Sequence, residues 1–412
     1  TMAKLAQIRL AGTIAVTALY AAAANTAVAQ DGPLVLNNQL QLGDVVTGQT
    51  LNVVDVSATG YAFTSNAALG NSAVGGTEGE AMNVRSNQIA RGDTTATTTM
   101  TLRGDTNGPV IGIIQARANN LTATTNDAST SVTATQEASG DTFARSNITN
   151  ADARLVGGAY VAVGAVGNNV GLDGTNASTT GVIDQTTSGE VRAHNLASTQ
   201  YIPAAALFSS DATANAVQVA TDGVSNQNMT VRQRSNGAMV EAAVNPSAGN
   251  AWDLAGRATA TGNLVGLGNE GGGVSATVDQ ENSARIRGAA RVSAYDYGKA
   301  YVASRAAANE VSLVGDDFAV GIDNAQRNTG LVESTATFQG AKGYDVYVGA
   351  DAIGNVINCV QCRGAANNVQ TNSGNISATA NTTITNSNRT VISGANAVGN
   401  AATFYVSGNG GS

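Results

Sequence analysis

The amino-acid sequence predicts an all-β repeat protein, and three observations support this prediction. One short signature, small and apolar residues followed by Gly or Ala and then Asn, recurs at almost constant intervals. Val and Thr, which favour extended strands, are abundant. Gly, Asn and Asp, which suit turns with positive φ, separate the alternating segments. A fixed period with alternating residues also argues against disorder, the other interpretation of so polar and Gly-rich a composition.

The repeat signature ends in an asparagine at eight places. The successive distances between these asparagines are 48, 49, 47, 48, 46, 46 and 45 residues. So regular a period indicates stacked units that bury their apolar faces against their neighbours, which predicts an elongated β-solenoid (β-helix) of about eight repeats of 45–49 residues. The eight landmarks are Asn71, Asn119, Asn168, Asn215, Asn263, Asn309, Asn355 and Asn400.

A second landmark follows the asparagine by 15 to 18 residues in repeats two to seven and reads V-x-Q, or a close variant, followed by Ser, Asn or Gly. The first repeat keeps only a degenerate form around Ser86. Stacking places each position of a repeat above its counterpart, so recurring amide side chains are expected to bond along the stack at about 4.8 Å spacing. The eight landmark asparagines form one predicted structural ladder. A second predicted ladder contains Gln136, Gln185, Gln233 and Gln280.

The period leaves the arrangement of strands within a repeat open. Each repeat is either one large coil or two coils of half that length, and two coils per repeat would give roughly 16 rungs and a rod on the order of 75 Å. A stacked β-meander or prism is the alternative to a solenoid, because periodicity does not decide between parallel and antiparallel pairing.

The N-terminal segment, residues 1–29, is predicted to be a secretory signal peptide. Lys4 and Arg9 precede a mainly apolar run over residues 10–24, and A-V-A at 27–29 is a small-x-small cleavage site. The predicted mature protein is therefore exported.

Three further segments follow from the pattern. Residues 30–59 contain two alternating stretches and are predicted to be N-terminal cap strands that cover the end of the stack. Residues 60–390 form the predicted repeat solenoid. Residues 391–412 form an incomplete terminal repeat whose edge is a possible assembly surface.

The charge balance excludes one class of partner. Cleavage would leave 19 basic and 29 acidic side chains, without any basic cluster. Because nucleic-acid affinity depends on cationic contacts to phosphates, the chain is not expected to bind nucleic acid.

The sequence contains no recognisable catalytic or metal-binding motif. His194 is the only histidine, and no serine or carboxylate near it completes a catalytic signature. The carboxylates, for example Asp184 and Glu190, are scattered singly, as solvated surface charges are. We therefore predict no enzyme activity, no metal and no cofactor, and identify no ligand-binding residue.

Cys359 and Cys362 form the single C-x-x-C pair. In an exported protein this pair is expected to form a short structural disulfide. A thioredoxin-type redox site would lie between a strand and a helix, and the surrounding sequence predicts no helix.

The repeated motifs and the composition resemble those of a known protein family. The exported, lysine-poor chain with its A-V-G-N and V-x-Q-x-x-S-G motifs resembles bacterial surface-anchor and curli-like proteins, and more narrowly the holdfast anchor protein D family, over most of residues 60–412. The curlin repeat is about half as long, so the chain departs from that pattern.

This resemblance implies a non-enzymatic anchor on the outer membrane of a Gram-negative bacterium. Such an anchor ties an adhesive polysaccharide, the holdfast, to the cell during surface attachment and biofilm formation. Its implied partners are that polysaccharide, sister surface-anchor proteins and outer-membrane secretion or assembly factors. Tyr295, Tyr297, Tyr301, Tyr344 and Tyr347 either stack on sugar rings or pack at strand ends.

Two alternatives remain open. The chain is either a self-assembling, curli-like filament subunit that joins copies by strand addition, or a β-helix enzyme that acts on polysaccharide through paired carboxylates. The enzyme would require a cleft with convergent carboxylates.

Overall fold

The computed structural model of the chain describes residues 33–316 and 319–406, and the regular elements within these ranges are β-strands. The predicted signal peptide, residues 1–29, lies outside the described residues. No helix in the described part of the chain combines the length and the hydropathy needed to span a membrane.

The strands form three faces that recur in each coil. Face 1 consists of β1 (Leu34–Gln41), β4 (Met82–Ala90), β7 (Thr130–Ala138), β10 (Thr179–Thr187), β12 (Gln227–Ser235), β14 (Val274–Asn282), β16 (Val320–Asn328) and β18 (Ala366–Asn372). Face 2 includes β2 (Val45–Val53), β5 (Thr94–Leu102), β8 (Thr142–Arg154) and β19 (Ile376–Ser387). Face 3 includes β3 (Ala62–Glu78), β6 (Val110–Asn126), β9 (Ala159–Thr175) and β20 (Val391–Tyr405). Four long strands supply face 2 with their first half and face 3 with their second half: β11 (Val191–Asp222), β13 (Met239–Glu270), β15 (Arg285–Asp316) and β17 (Val332–Val360).

Each strand pairs in parallel with the equivalent strand of the next coil. Asn71 of β3, for example, lies directly beside Asn119 of β6, one full repeat later in the chain. One repeat is therefore one coil. This parallel stack confirms the predicted all-β solenoid and excludes both the β-meander and the two half-length coils. The described residues form eight coils, and the seven steps between them give a stack of about 34 Å along its axis.

The core of the described residues consists of two large apolar compartments and a small cluster of three alanines. The first lies between face 2 and the first half of face 3 and includes Ile148, Phe208 and Phe338. The second lies between face 1 and the second half of face 3 and includes Ile183 and Leu267. Burial of a side chain of this size contributes roughly 1.5–3 kcal/mol relative to exposure. The apolar residues of the alternating sequence pattern are the side chains that point inward and fill these compartments.

The corners explain why Gly, Asn and Asp recur. At the corner between faces 1 and 2, an added Cβ at Gly140 would lie 2.1 Å from the carbonyl oxygen of Gly92 in the preceding coil. The corner after face 3 instead uses left-handed backbone, with φ of 53° at Asp127, 50° at Asn176 and 68° at Gly223. Residue types that tolerate this conformation are therefore placed where each coil ends.

Both terminal segments take part in the stack. In residues 30–59, β1 and β2 pair with β4 and β5, so that together with β3 they form a coil that we call the N-terminal coil. In residues 391–412, β20 pairs with β17, and together with β18 and β19 it forms the C-terminal coil. Residues 407–412 lie outside the described part of the chain.

Candidate functional site

A continuous ladder of asparagine side chains runs through the interior. In every coil but the last, the Nδ2 donates a hydrogen bond to the Oδ1 of the asparagine in the following coil, at 2.7 or 2.8 Å. A second N–H of the same amide donates to a face 1 carbonyl of the following coil, as from Asn168 to Thr186 at 2.9 Å. The ladder comprises Asn71, Asn119, Asn168, Asn215, Asn263, Asn309, Asn355 and Asn400.

A glutamine ladder runs beside it along the inner side of face 1. In every coil but the first, the Nε2 donates to the Oε1 of the preceding coil's glutamine at 2.7 or 2.8 Å. The second N–H donates to a face 3 carbonyl, as from Gln185 to Ala216 at 3.0 Å. The members are Gln39, Gln88, Gln136, Gln185, Gln233, Gln280, Gln326 and Gln370.

The sequence prediction contains four of these glutamines and omits Gln39, Gln88, Gln326 and Gln370. Gln326 is missed because, in its repeat, the V-x-Q landmark is assigned to Asn324, which lies two residues earlier. Gln39 lies in the segment assigned to the cap. Counting back from Gln136 in steps of 48 and 49 residues reaches both Gln88 and Gln39, so the period itself carries the signal that finds them.

The two ladders have opposite polarity. Asparagine amides donate towards the C-terminal coil, whereas glutamine amides donate towards the N-terminal coil. The amide dipoles therefore oppose each other inside the stack, where the low local dielectric strengthens both hydrogen bonds and repulsion. Because an unpaired buried polar group costs about 1–3 kcal/mol, these paired amides allow a polar wall to separate the two apolar compartments.

The cysteine pair holds one corner. Cys359 and Cys362 form a disulfide with a Cα–Cα distance of 5.7 Å, and it spans Gln361. Gln361 has a φ of 64° at the corner where other coils have Gly, Asn or Asp. A residue with a Cβ is disfavoured in this left-handed backbone conformation. The disulfide therefore holds a corner whose conformation is unfavourable for glutamine.

The outward side of face 3 bears a column that does not repeat faithfully. Its members lie in register at the start of the face, and most are apolar or aromatic. We call this set the outer column: Phe63, Ile111, Tyr160, Leu207, Ala255, Tyr301, Tyr347 and Ile392.

A groove of about 400 Å³ lies on the outer column. Tyr160 and Tyr301 stand at its two ends, 47% and 51% exposed, and the smaller Leu207 and Ala255 lie between them. Three coil steps separate the tyrosines, which places their backbones about 14 Å apart. The small residues of the middle coils thus create a concave surface between two exposed aromatic rings.

The polar groups of the groove are few. Asp253 and Lys299 line it beside a floor of alanine and leucine side chains. Lys299 is exposed and lies in register between Asp253 and Asp345. One carboxylate and one ammonium group therefore face an otherwise apolar surface, which is a common composition for a ligand site.

The five tyrosines identified from the sequence do not share one environment. Tyr295, Tyr301 and Tyr344 are exposed, and the guanidinium of Arg389 lies 5.2 Å from the centre of the Tyr344 ring. Tyr297 is buried, with its ring edge-on to Phe338 at 4.9 Å. Of the five, only Tyr301 lines the groove. Its partner there, Tyr160, is absent from the sequence prediction.

The one histidine belongs to an ion-pair cluster on face 2. His194 Nε2 lies 2.9 Å from Glu241 Oε2, and Arg287 donates to the other oxygen of Glu241 at 2.6 Å. The hydrogen bond from His194 and the charge of Arg287 hold the pKa of Glu241 below its usual value, against the opposing effect of burial. Among the described residues, no group of three or more His, Cys, Asp or Glu side chains is placed to hold a metal ion.

Paired amide ladders inside and an aromatic groove outside define a parallel β-solenoid, a class of repeat protein with an extended surface for binding. The family model of holdfast attachment protein D matches residues 56–332, about two thirds of the chain. The chain therefore belongs to the holdfast attachment protein D family, which indicates a role in holdfast attachment at the cell surface. Comparisons with curated proteins and with solved structures found no match.

Proposed function

We propose that this protein is a non-enzymatic anchor that binds the holdfast polysaccharide in the groove between Tyr160 and Tyr301. The groove is the single observation that carries this proposal. A sugar ring presents C–H groups that stack on aromatic faces and hydroxyl groups that require hydrogen-bond partners. Tyr160 and Tyr301 supply the aromatic faces, and Asp253 and Lys299 supply an acceptor and a donor.

The shape of the groove favours a polymer over a small ligand. The outer column runs along the stack, so a chain molecule lying on it would contact several successive coils. The tyrosines are about 14 Å apart, a span that accommodates a few linked sugar units. The parallel strand pairing beneath the groove keeps this spacing fixed, which reduces the ordering cost of binding.

The remaining parts of the proposal concern the envelope. We place the protein on the outer membrane of a Gram-negative bacterium, where sister anchor proteins retain it and assembly factors deliver it. Family membership supports a surface-associated structural role of this kind. The lining supports the non-enzymatic role, because among the described residues Asp253 is the one acid that lines the groove, whereas paired-carboxylate catalysis requires two.

Binding of purified protein to immobilised holdfast polysaccharide tests this function. The double variant Tyr160→Ala and Tyr301→Ala should lose affinity about tenfold or more, because two aromatic contacts are removed. Tyr405→Ala is the matched control, since Tyr405 is 57% exposed at the far end of face 3. Affinity equal to that of the unmodified protein in the double variant would contradict the proposal.

A further inference from the structure

The two ends of the solenoid are complementary to each other. We propose that copies of this chain dock head to tail, with the C-terminal coil of one copy against the N-terminal coil of the next, so that both amide ladders continue across the junction. This inference is independent of the proposed polysaccharide site. It rests on the polarity of the ladders, the open strand edges and the charge of the two end coils.

The ends of the ladders have matching unpaired groups. At the N-terminal coil, the Oδ1 of Asn71 accepts no hydrogen bond from a described residue, and one N–H of Gln39 remains after its bond to Ser72. At the C-terminal coil, the Oε1 of Gln370 accepts none from the described residues, and Asn400 makes only a long 3.5 Å bond through its Nδ2. A head-to-tail contact pairs Asn400 with Asn71 and Gln39 with Gln370.

This match is a consequence of polarity. Because asparagines donate forwards and glutamines donate backwards, each end exposes one amide donor and one amide acceptor, in opposite ladders. Two copies that met through identical ends, with each ladder opposite itself, would oppose donor to donor and acceptor to acceptor. The head-to-tail arrangement instead continues each ladder in the parallel register of the stack, and it permits further addition of copies.

The strand edges are also open at both ends, and the core is open there on face 2. The terminal strands of each face present one backbone edge that lacks a neighbouring strand among the described residues, and such edges favour strand addition. On face 2, core positions in these coils are only partly buried, as at Leu51 and Val53 near one end and Ile376 and Ile384 near the other. The inward positions on face 3 of the N-terminal coil, such as Ala68, are already buried. Docking would complete the burial of the face 2 positions.

The charges of the two end coils are opposite. Residues 33–80 contain Asp44, Asp55, Glu78 and Glu80 and no lysine or arginine. Residues 363–406 contain two arginines and no aspartate or glutamate. Head-to-tail contact therefore brings an acidic coil to a basic one, whereas contact between identical ends brings like charges together.

Cysteine cross-linking of the full chain tests the geometry. Ala67 and Asn396 are exposed and occupy the same register column in the first and last coils. Across the proposed junction their Cα atoms would lie about 5 Å apart, within the range of about 4.4–6.8 Å that a disulfide spans. Oxidised Ala67→Cys/Asn396→Cys protein should form a ladder of covalent oligomers on a non-reducing gel.

The controls separate the proposed register from chance contact. The pair Ala67→Cys and Thr379→Cys places the second thiol on face 2 and should yield no ladder. A mixture of the single variants Ala67→Cys and Asn396→Cys should yield heterodimers, and neither single variant alone should yield dimers. Arg389→Glu in the double-cysteine background should reduce cross-linking by up to about fivefold, whereas Arg291→Glu in the middle of the stack should not.

A folded double-cysteine variant that stays monomeric at its highest soluble concentration would overturn the inference. Equal cross-linking of the in-register and face 2 pairs would also overturn it. Circular dichroism of each variant establishes that the β-structure is intact before the gel is interpreted.

Discussion

The interior amide positions and the outer column occupy the same coils, yet their sequences behave differently. At the ladder positions the amide is the same in coil after coil, because each side chain must donate to and accept from its neighbours. In the outer column the residue changes from coil to coil, from Tyr160 to Leu207 to Ala255 to Tyr301. The repeated positions therefore hold the fold, and the departures from the repeat create the groove.

The first prediction tests whether the repeated amide positions hold the fold, by interrupting the asparagine ladder. Asn215→Leu leaves an N–H of Asn168 and the acceptors on Asn263 and Arg234 unpaired in the buried interior. The expected loss is about 3–9 kcal/mol of unfolding free energy, since each of the three orphaned groups costs about 1–3 kcal/mol. Urea denaturation followed by circular dichroism measures it.

Asn228→Leu is the matched control for the ladder variant, because Asn228 is exposed on the outward side of face 1. Its unfolding midpoint should change little. Equal midpoints for the two variants would mean that the ladder contributes no more than a surface amide.

The second prediction concerns the corner that departs from the repeat. Replacing both Cys359 and Cys362 with Ser removes the disulfide that spans Gln361. The unfolding free energy should fall by about 2 kcal/mol, as loop-closure entropy predicts for so short a loop. Restoring a corner residue that accepts positive φ, through Gln361→Gly in the same background, should recover part of the loss. No recovery would show that the backbone conformation of Gln361 is not what the disulfide supports.

The third and smallest effect depends on pH. Because the pKa of Glu241 is lowered in the folded state, its charged form stabilises the protein above the pKa of the unfolded chain, and this contribution is lost as the pH falls through the folded pKa. Glu241→Gln should lower the unfolding free energy by about 0.5–1.5 kcal/mol at pH 7. The difference from the unmodified protein should shrink as the pH falls below about 4.3.

Glu270→Gln provides the comparison for the pH effect, since Glu270 is exposed. Chemical denaturation at several pH values should give parallel curves for this control and the unmodified protein. A Glu241→Gln curve that is likewise parallel down to acidic pH would show that the ion-pair cluster contributes no pH-dependent stability.

The sequence predicts the parts of the structure that repeat. The period and the alternation of small and apolar residues are enough to predict an all-β solenoid, because identical stacked coils impose identical spacing. The same period leaves strand direction open, because direction depends on which edges meet in space. Neither the period nor the alternation predicts the left-handed backbone at Gln361, because the other described corners of this kind have Gly, Asn or Asp.

The groove could not be predicted in the same way. Tyr160 and Tyr301 are 141 residues apart and belong to coils 3 and 6 of the stack. Their outward orientation depends on strand phase, as Tyr297 demonstrates: it lies four residues before Tyr301 and yet is buried. Locating the site requires the register of four coils, which only the pairing of strands supplies.

The most direct test of the central claim is holdfast retention by cells of the source organism that carry the Tyr160→Ala/Tyr301→Ala protein. Lectin staining would count adhesive retained on the cells against adhesive shed into the medium, with Tyr405→Ala cells as the control and surface immunolabelling to establish equal protein levels. The account predicts normal synthesis with shedding in the double variant alone. Unchanged retention, with the altered protein present at the surface, would contradict it.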